Sequence, residues 1–368
     1  MPEVKLINVN KKFGEIHALR GITLTVKDGE YVCILGPSGC GKSTLLRIIA
    51  GLLQPDSGRV YIDGKDVTYE PPEERRVGFV FQNIALFPHM DSCGNIMYGP
   101  IVKCMDRSTS DKVVKELMNI LNIAKYGGLY PYELSGGVAQ MVAIARALAA
   151  GAKLLLLDEP LGALDPRIRV NLRYELRRIV KGLNLTAIHV THNQEEALTV
   201  ADRIVVMRSG IVEDFDTPEN LYWRPKNLFI ADFIGKVNII KGVVRKVMGE
   251  KILITLTSGK SIELHAKGFS EGDSVVLAVR PENFEFSMDS NIEQSDSLTG
   301  TVIRARFMGE YYRYDIKTET DETIVVNYPI DKNVKKIGEK VRIRLNPESV
   351  LVYPYPEKGI ERELMVEI

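Results

Sequence analysis

The run Gly36-Pro37-Ser38-Gly39-Cys40-Gly41-Lys42-Ser43-Thr44 has the chemistry of a phosphate cradle. The spacing of Gly36, Gly41, Lys42 and Ser43 fits the pattern GxxxxGK[ST]. Binding a triphosphate takes many backbone N–H groups aimed at one place, and glycines let the chain turn tightly enough to aim them. Lys42 can reach the terminal phosphates, the Ser43 hydroxyl can hold Mg²⁺, and a helix starting near Lys42 adds the positive end of its dipole. Further along, four leucines, Leu154 to Leu157, run into Asp158 and Glu159. Asp158 is placed to order a Mg²⁺ shell, and Glu159 to activate or orient a water for attack on the terminal phosphate. Gln82 directly follows the apolar run Val77–Phe81. It reads either as a surface residue or as a group touching both Mg²⁺ and the water. His192 follows the apolar run Leu185–Val190 and can bond the terminal phosphate. His189, two residues earlier, reads as structural. Ser135-Gly136-Gly137 opens an Ala- and Leu-rich helix, a second candidate anion site at a helix start or simply a capped helix.

These groups need a sheet that delivers them to one edge. Tyr31–Leu35, Val77–Phe81, Leu154–Leu157 and Leu185–Val190 are short apolar runs suited to parallel strands buried on both faces. In a doubly wound sheet the residues after such strands meet the ligand at the carboxyl edge. Val4–Val9 and Ala18–Val26 read as further strands, as does Arg59–Ile62. Phe13, near the turn between the first two, is either ordinary packing or a surface for an adenine ring. Residues 84–150 break the alternation. Val114, Leu117, Met118 and Leu121 have helical spacing over Asp111–Leu121, and Gly127-Gly128 and Pro131 then interrupt, so this stretch reads as a helical insertion. Arg167–Lys181 reads as a helix whose Arg167, Arg169, Arg173, Arg177 and Arg178 form a solvated face.

The chain has 368 residues, enough for two domains or three. Lys plus Arg and Asp plus Glu are 48 each, so the net charge gives no footprint for nucleic acid. Cys33, Cys40, Cys93 and Cys104 form neither a zinc pattern nor a disulfide framework and are expected reduced, in a cytosolic chain. The polar start, Met1–Lys12, is unlike a signal peptide. The longest apolar stretch, Val142–Leu157, is broken by Arg146 and Lys153, so any membrane role is expected to run through a partner.

In order, the chain carries GPSGCGKST, the glutamine after FVF, LSGG before a helix, LLLLDEP, GALD and the VTH histidine. Over residues 1–235 this resembles the nucleotide-binding subunit of an ATP-binding-cassette transporter. The resemblance implies two copies facing head to tail, each ATP held by the phosphate loop of one and the LSGG of the other. It implies that Phe13 stacks on adenine, that Gln82 senses the γ-phosphate and couples to a membrane subunit, and that Ser135, Gly136 and Gly137 form the signature. Glu159 is implied as general base, Asp165 as part of the dimer-contacting loop, and His192 as the switch histidine. One departure stands out: the signature is normally followed by a polar run, commonly Gln-Arg-Gln-Arg, and here by Val138-Ala139-Gln140-Met141. The backbone N–H groups survive, and slow turnover is expected.

From 236 to 368 the chain changes to short strands and glycine turns. Gly272-Asp273-Ser274-Val275, ending in Arg280-Pro281-Glu282, recurs as Gly338-Glu339-Lys340-Val341, ending in Asn346-Pro347-Glu348. Gly242-Val243-Val244 recurs as Gly300-Thr301-Val302. Two copies of one β-unit suggest a barrel built from both, with 291–297 as the polar link. The pattern looks like the oligonucleotide-binding-type barrel pair behind importer ATPases for sugars, polyamines, iron and oxyanions. Tyr311, Tyr312, Arg313 and Tyr314 make one small aromatic and basic candidate there, read as core or interface packing.

The expected architecture is therefore an α/β P-loop NTPase core (1–235, helical subdomain about 84–150) followed by an all-β OB-like domain (236–368). The expected activity is ATP hydrolysis with Mg²⁺, driving solute import. Expected partners are a second copy, separate membrane-spanning permease subunits and, indirectly, an extracytoplasmic solute-binding protein, with the chain peripheral on the cytoplasmic face. Two other classes fit the sequence less well. Soluble ATPases acting on nucleic acid or ribosomes usually carry two cassettes or long coiled coils, and this chain has one cassette and no heptads. An ATP-gated regulator with little hydrolysis is supported only by Val138 and Met141. The solute itself is not legible, although Ala85-Leu86-Phe87-Pro88-His89-Met90 leans toward polyamine, iron or oxyanion importers.

Overall fold

The computed structural model describes residues 2–162, 164–286, 297–330 and 334–365. Two compact units emerge, one ending at Asn220 and one running from Leu221 to Met365. The division falls ahead of the linker expected at 235, because a helix at 228–233 packs its apolar side within the second unit.

The first unit contains β1 (Val4–Phe13), β2 (Ile16–Val26), β3 (Tyr31–Leu35), α1 (Lys42–Ala50), β4 (Ser57–Ile62), β5 (Lys65–Asp66), β6 (Val77–Val80), α2 (Ser92–Val102), α3 (Arg107–Ile120), α4 (Gly136–Ala149), β7 (Leu154–Asp158), α5 (Pro166–Gly182), β8 (Thr186–Thr191), α6 (Gln194–Val200), β9 (Arg203–Arg208) and β10 (Ile211–Asp216). One sheet is antiparallel, in the order β2-β1-β4-β5. The other runs β10-β9-β3-β8-β7-β6, parallel except for β10 against β9. Every residue of β3, β7 and β8 is buried, as continuous apolar runs in a two-sided parallel sheet require. In register, Val80 lies beside Leu157, Asp158 beside Val190 and Leu35 beside Thr191. The residues that follow all four strands therefore leave the sheet at one level. Leu45, Leu46, Ile48 and Ile49 of α1 pack on Val32, Ile34, Leu154 and Leu156 beneath that edge.

The helical insertion is α2 to α4. The helix expected from Asp111 starts earlier, at Arg107, because the Asp106 carboxylate accepts from Thr109 N at 2.9 Å and caps it. The solvated arginine face expected on α5 is corrected by the structure. Arg167 and Arg178 are exposed, but Arg173 is buried and bonds Glu195 and Thr199, and Arg177 bonds Asp202 and Val200. Those partners lie on and after α6, which covers that side of α5.

In the second unit α7 (Pro218–Trp223), which begins just before the division, and α8 (Leu228–Phe233) lead into β11 (Asn238–Met248), β12 (Lys251–Leu256), β13 (Ser261–His265), β14 (Ser274–Val279), β15 (Phe284–Phe286), β16 (Ser297–Phe307), β17 (Tyr311–Thr318), β18 (Thr323–Pro329), β19 (Lys340–Leu345), β20 (Leu351–Pro354) and α9 (Ile360–Leu364). The sheets run β13-β12-β11-β14-β20 and β15-β19-β16-β17-β18. Each copy of the repeat thus gives its last strand to the sheet of the other, and the inner faces share one core. The copies agree in detail. The register slips after Val244 and again after Val302. Val244 exchanges bonds with Gly272 and Asp273 as Val302 does with Gly338 and Glu339. Residues 291–296 of the expected link lie outside the described residues, and Ser297 already belongs to β16. Tyr314 is buried in the core with Tyr312 stacked near it, which is the packing expected of that cluster.

Candidate nucleotide site

The cradle sits between β3 and α1. A Cβ on Gly36 would lie 2.3 Å from Met207 O and 2.7 Å from Cys40 Sγ. One on Gly41, whose φ is +102°, would lie 2.4 Å from Ala18 O. Glycine at these two positions lets β9 and β2 approach the loop from behind. Ser38 and Gly39 face outward, while Pro37 and Cys40 are buried and Thr44 is half-buried. Lys42 is buried, and its ammonium donates to Gly36 O at 2.8 Å and Pro37 O at 2.6 Å, which fixes a positive charge at the centre of the loop. From behind, Gly210 N donates to Cys40 O at 3.1 Å. Burial pushes the Cys40 thiol up despite the neighbouring Lys42, and burial pushes Cys33 up further. All four cysteines are free.

Asp158 closes the floor. It is buried, and its Oδ1 accepts from Ser43 Oγ at 2.8 Å. Glu159 stands just past β7 with its N–H on Val190 O, in a left-handed conformation of φ +46°. A non-glycine residue held there stores about 1 kcal/mol of strain. Its Oε2 meets Gln82 Nε2 at 3.0 Å and His192 Nδ1 at 3.2 Å. One carboxylate oxygen therefore gathers the residues delivered by β6, β7 and β8. Lys42, Ser43, Asp158, Glu159, Gln82 and His192 all stand along one sheet edge.

Ser135 and Phe13 are placed differently. Ser135 occupies the N-cap position of α4 with φ −68° and ψ 154°, but its side chain makes no capping bond. The glycines after it serve packing: a Cβ on Gly136 would come within 2.9 Å of Leu164 Cδ2, and one on Gly137 within 2.9 Å of Ile168 Cγ2. Close contact with the loop before α5 and with α5 itself is a reason for this pair that spacing alone does not reveal. Of the atypical residues that follow, Ala139 and Met141 are buried, and Gln140 is fully buried with neither amide atom paired. Only Val138 retains partial exposure. Phe13 is half exposed at the end of β1, with the Lys11 ammonium 5.6 Å from its ring centre. Asp165 caps α5 by accepting from Arg167 N at 2.9 Å, and Ala163 of the same loop lies outside the described residues.

The sequence reading missed a buried polar chain under this edge, formed by Tyr31, His189, Glu196 and Thr191. A signal was available: Asn193-Gln194-Glu195-Glu196 has an N-cap residue followed by a glutamate three positions on, a helix-start signature.

A glycine cradle, a buried hydroxyl–carboxylate pair and a glutamate–histidine–glutamine cluster at one parallel sheet edge define a nucleoside triphosphatase of the P-loop class. Comparison with known proteins narrows this. The ABC transporter model matches residues 19–162 and the TOBE domain model residues 277–352. The chain is 38% identical over 358 residues to the spermidine/putrescine import ATP-binding protein PotA of Acetivibrio thermocellus, covering 96% of this chain and 97% of the relative. It is 39% identical over 327 residues to the Fe(3+) ions import ATP-binding protein FbpC of Rhizobium etli, covering 89% and 91%. A dimeric ATP-binding cassette solved in a post-hydrolysis state with ADP and phosphate superposes with a TM-score of 0.52 at 36% identity, over 58% of this chain and 98% of that one. The chain belongs to the ABC transporter family: it is the ATP-binding, ATP-hydrolysing subunit of an importer, with a C-terminal TOBE domain. Among the described residues no helix is long and apolar enough to cross a membrane.

Proposed function

We propose that two copies of this chain bind ATP head to tail and that its hydrolysis drives polyamine uptake through separate membrane-spanning subunits. The observation that carries the catalytic part is the convergence of Gln82, Glu159 and His192 on one carboxylate oxygen, beside the Ser43–Asp158 pair. Glu159 takes the proton of the attacking water, held on its other side by Gln82. Lys42 exchanges the loop carbonyls for the β- and γ-phosphate oxygens, and His192 donates to the γ-phosphate as charge develops on it. Phe13 stacks on the adenine.

The donor set fits Mg²⁺. Among the described residues no three His, Cys, Asp or Glu side chains form a closed metal cage. Instead Ser43, Asp158 and Gln82 offer hard oxygens on one side and leave the remaining positions to phosphate and water, as Mg²⁺ prefers. Bound there, the ion neutralises charge on the phosphates.

The uncapped hydroxyl of Ser135 and the N–H groups of Gly136 and Gly137 are free to grip the γ-phosphate on the partner copy, which is why one chain carries two anion sites. Since Ala139 and Met141 are buried in their own fold, the apolar signature bears on the dimer only through Val138. The chain works at the cytoplasmic face of the membrane, and an extracytoplasmic binding protein delivers the solute. The polyamine assignment rests on the relatives named for spermidine and putrescine, with iron as the alternative supported by the Rhizobium etli relative.

The test is Mg²⁺-dependent phosphate release by wild type beside Glu159→Gln. Turnover in wild type with trapped ATP in the variant is expected, and equal, negligible activity in both contradicts it. Uptake of labelled spermidine against ferric iron by cells carrying the assembled transporter separates the two solutes.

A further inference from the structure

His192 is the residue of the cluster with the least support of its own. Its side chain is 59% exposed, and its one described polar contact is Glu159 at 3.2 Å. Its backbone, by contrast, lies inside a closed ring of hydrogen bonds. Asn193 N donates to Thr191 Oγ1 at 3.0 Å, Thr191 Oγ1 donates to Glu196 Oε2 at 3.0 Å, and Glu196 N donates to Asn193 Oδ1 at 3.0 Å. These bonds tie both chain neighbours of His192, Thr191 and Asn193, to Glu196.

That carboxylate is itself fixed from below. Glu196 is 3% exposed and His189 0%. The His189 Nε2 lies 3.2 Å from Glu196 Oε1, off the ideal donor angle, and its Nδ1 lies 3.0 Å from the Tyr31 hydroxyl. Burial pushes the Tyr31 phenol well up, so its hydroxyl keeps its proton. The Glu196 carboxylate can only accept, so the His189 proton sits on Nε2 facing it and Nδ1 accepts from the Tyr31 hydroxyl. Burial alone would raise the Glu196 carboxyl. The His189 contact, the Thr191 hydroxyl and the nearby Arg173 outweigh it and hold the group below the usual carboxylate range. A buried carboxylate costs several kcal/mol unless fully paired. The α6 start needs only the Asn193 cap, so helix formation alone does not account for a buried glutamate turned back toward Thr191.

We infer that Glu196 is a positioning residue for hydrolysis: through Thr191 and Asn193 it holds His192 at the γ-phosphate and against Glu159, with Tyr31 and His189 as its buried support. The inference rests on the role proposed above for His192. Optimised side-chain orientation of this kind changes kcat more than substrate binding, because the contact it secures matters most at the transition state.

The experiment is a double-mutant cycle in steady-state ATP hydrolysis by the full-length protein, with nucleotide affinity measured alongside. Glu196→Gln is expected to lower kcat roughly tenfold with KM for ATP nearly unchanged. His192→Ala lowers it further, and the double variant is no slower than His192→Ala alone. Thr191→Val, which keeps shape and loses the hydroxyl, follows Glu196→Gln, while Thr191→Ser keeps wild-type turnover. Should Glu196→Gln not fold, the Thr191 pair gives the same answer. Multiplying effects in the double variant, or equal rates for Thr191→Val and Thr191→Ser, overturn the inference and leave the His192 role standing. A His192→Ala variant with wild-type turnover overturns both.

Discussion

The two units spend buried polar groups in opposite ways. In the first, Lys42, Asp158, Glu196 and His189 are buried within a few residues of one sheet edge, and the non-glycine backbone of Glu159 is held left-handed there. In the second, the outstanding buried charge is Arg280. It lies over the Tyr222 ring at 3.9 Å and donates to Tyr222 O at 2.7 Å, Ala231 O at 2.9 Å and Gly235 O. It holds α7 and α8 onto β14. Buried charge collected around strand ends and a strained residue suits chemistry, whereas buried charge held by backbone carbonyls suits a structural clamp.

Breaking the comparison at its strongest point gives the largest effect. Glu159→Gln is expected to lower kcat at least ~100-fold, the scale of a lost general base, with the melting temperature nearly unchanged. A fall in thermal stability equal to the fall in rate would mean the residue is structural after all. In the second unit the expectation reverses. Arg280→Ala leaves three backbone groups and a ring without their partner and should cost about 2–4 kcal/mol in the unfolding of that unit, read by calorimetry. Nucleotide binding measured on the same sample should not change.

The internal repeat sharpens the contrast. A Cβ on Gly242 would meet Ile254 Cγ2 at 2.5 Å, and one on Gly300 would meet Ile316 Cγ2 at 2.6 Å. Gly242→Ala and Gly300→Ala should each cost about 1–3 kcal/mol, with Gly300→Ala the costlier, because its Cβ would stand 2.7 Å from Lys317 O where that of Gly242→Ala would stand 3.1 Å from Thr255 O. Equal costs in denaturant titrations, or a costlier Gly242→Ala, would show that the closer backbone contact at Gly300 carries no energetic weight. The smallest effect is on the alkaline side. Burial first, then the Glu282 carboxylate, raises the Tyr222 phenol to about 12. A group whose folded value lies above its unfolded value loses its contribution as pH rises between the two, here from about 10 to about 12. Stability of the second unit should fall across that window, and Tyr222→Phe should flatten the fall.

Legibility in the sequence follows the same division. Triphosphate chemistry tolerates few residue types, so the loop could be named from its own residues, whereas Asp158, Glu159, Gln82 and His192 needed the apolar runs before them, and the roles of Gln82 and His192 the family resemblance as well. Two-sided burial made β3, β7 and β8 readable as apolar runs. What stayed hidden depends on contacts distant in sequence. Arg173 looked solvated because nothing local says that Glu195 will cover it. Gly136 and Gly137 read as an anion site or a capped helix start and not as packing positions, because Leu164 and Ile168 approach from another element. Glu196 went unnoticed, because nothing local says that its carboxylate turns back to the preceding strand. In the second unit only the repeated glycine and proline turns were visible, and the exchange of β15 and β20 between the copies leaves no trace in residue spacing.

The central claim is that ATP is gripped by the cradle of one copy and the Ser135 helix start of another. Its most direct test is retention of ATP through gel filtration by Glu159→Gln, alone and combined with Ser135→Arg. The single variant should elute with bound ATP, and the combined one should bind ATP in solution yet lose it on the column. Equal retention by both would show that Ser135 does not touch the nucleotide of a partner copy.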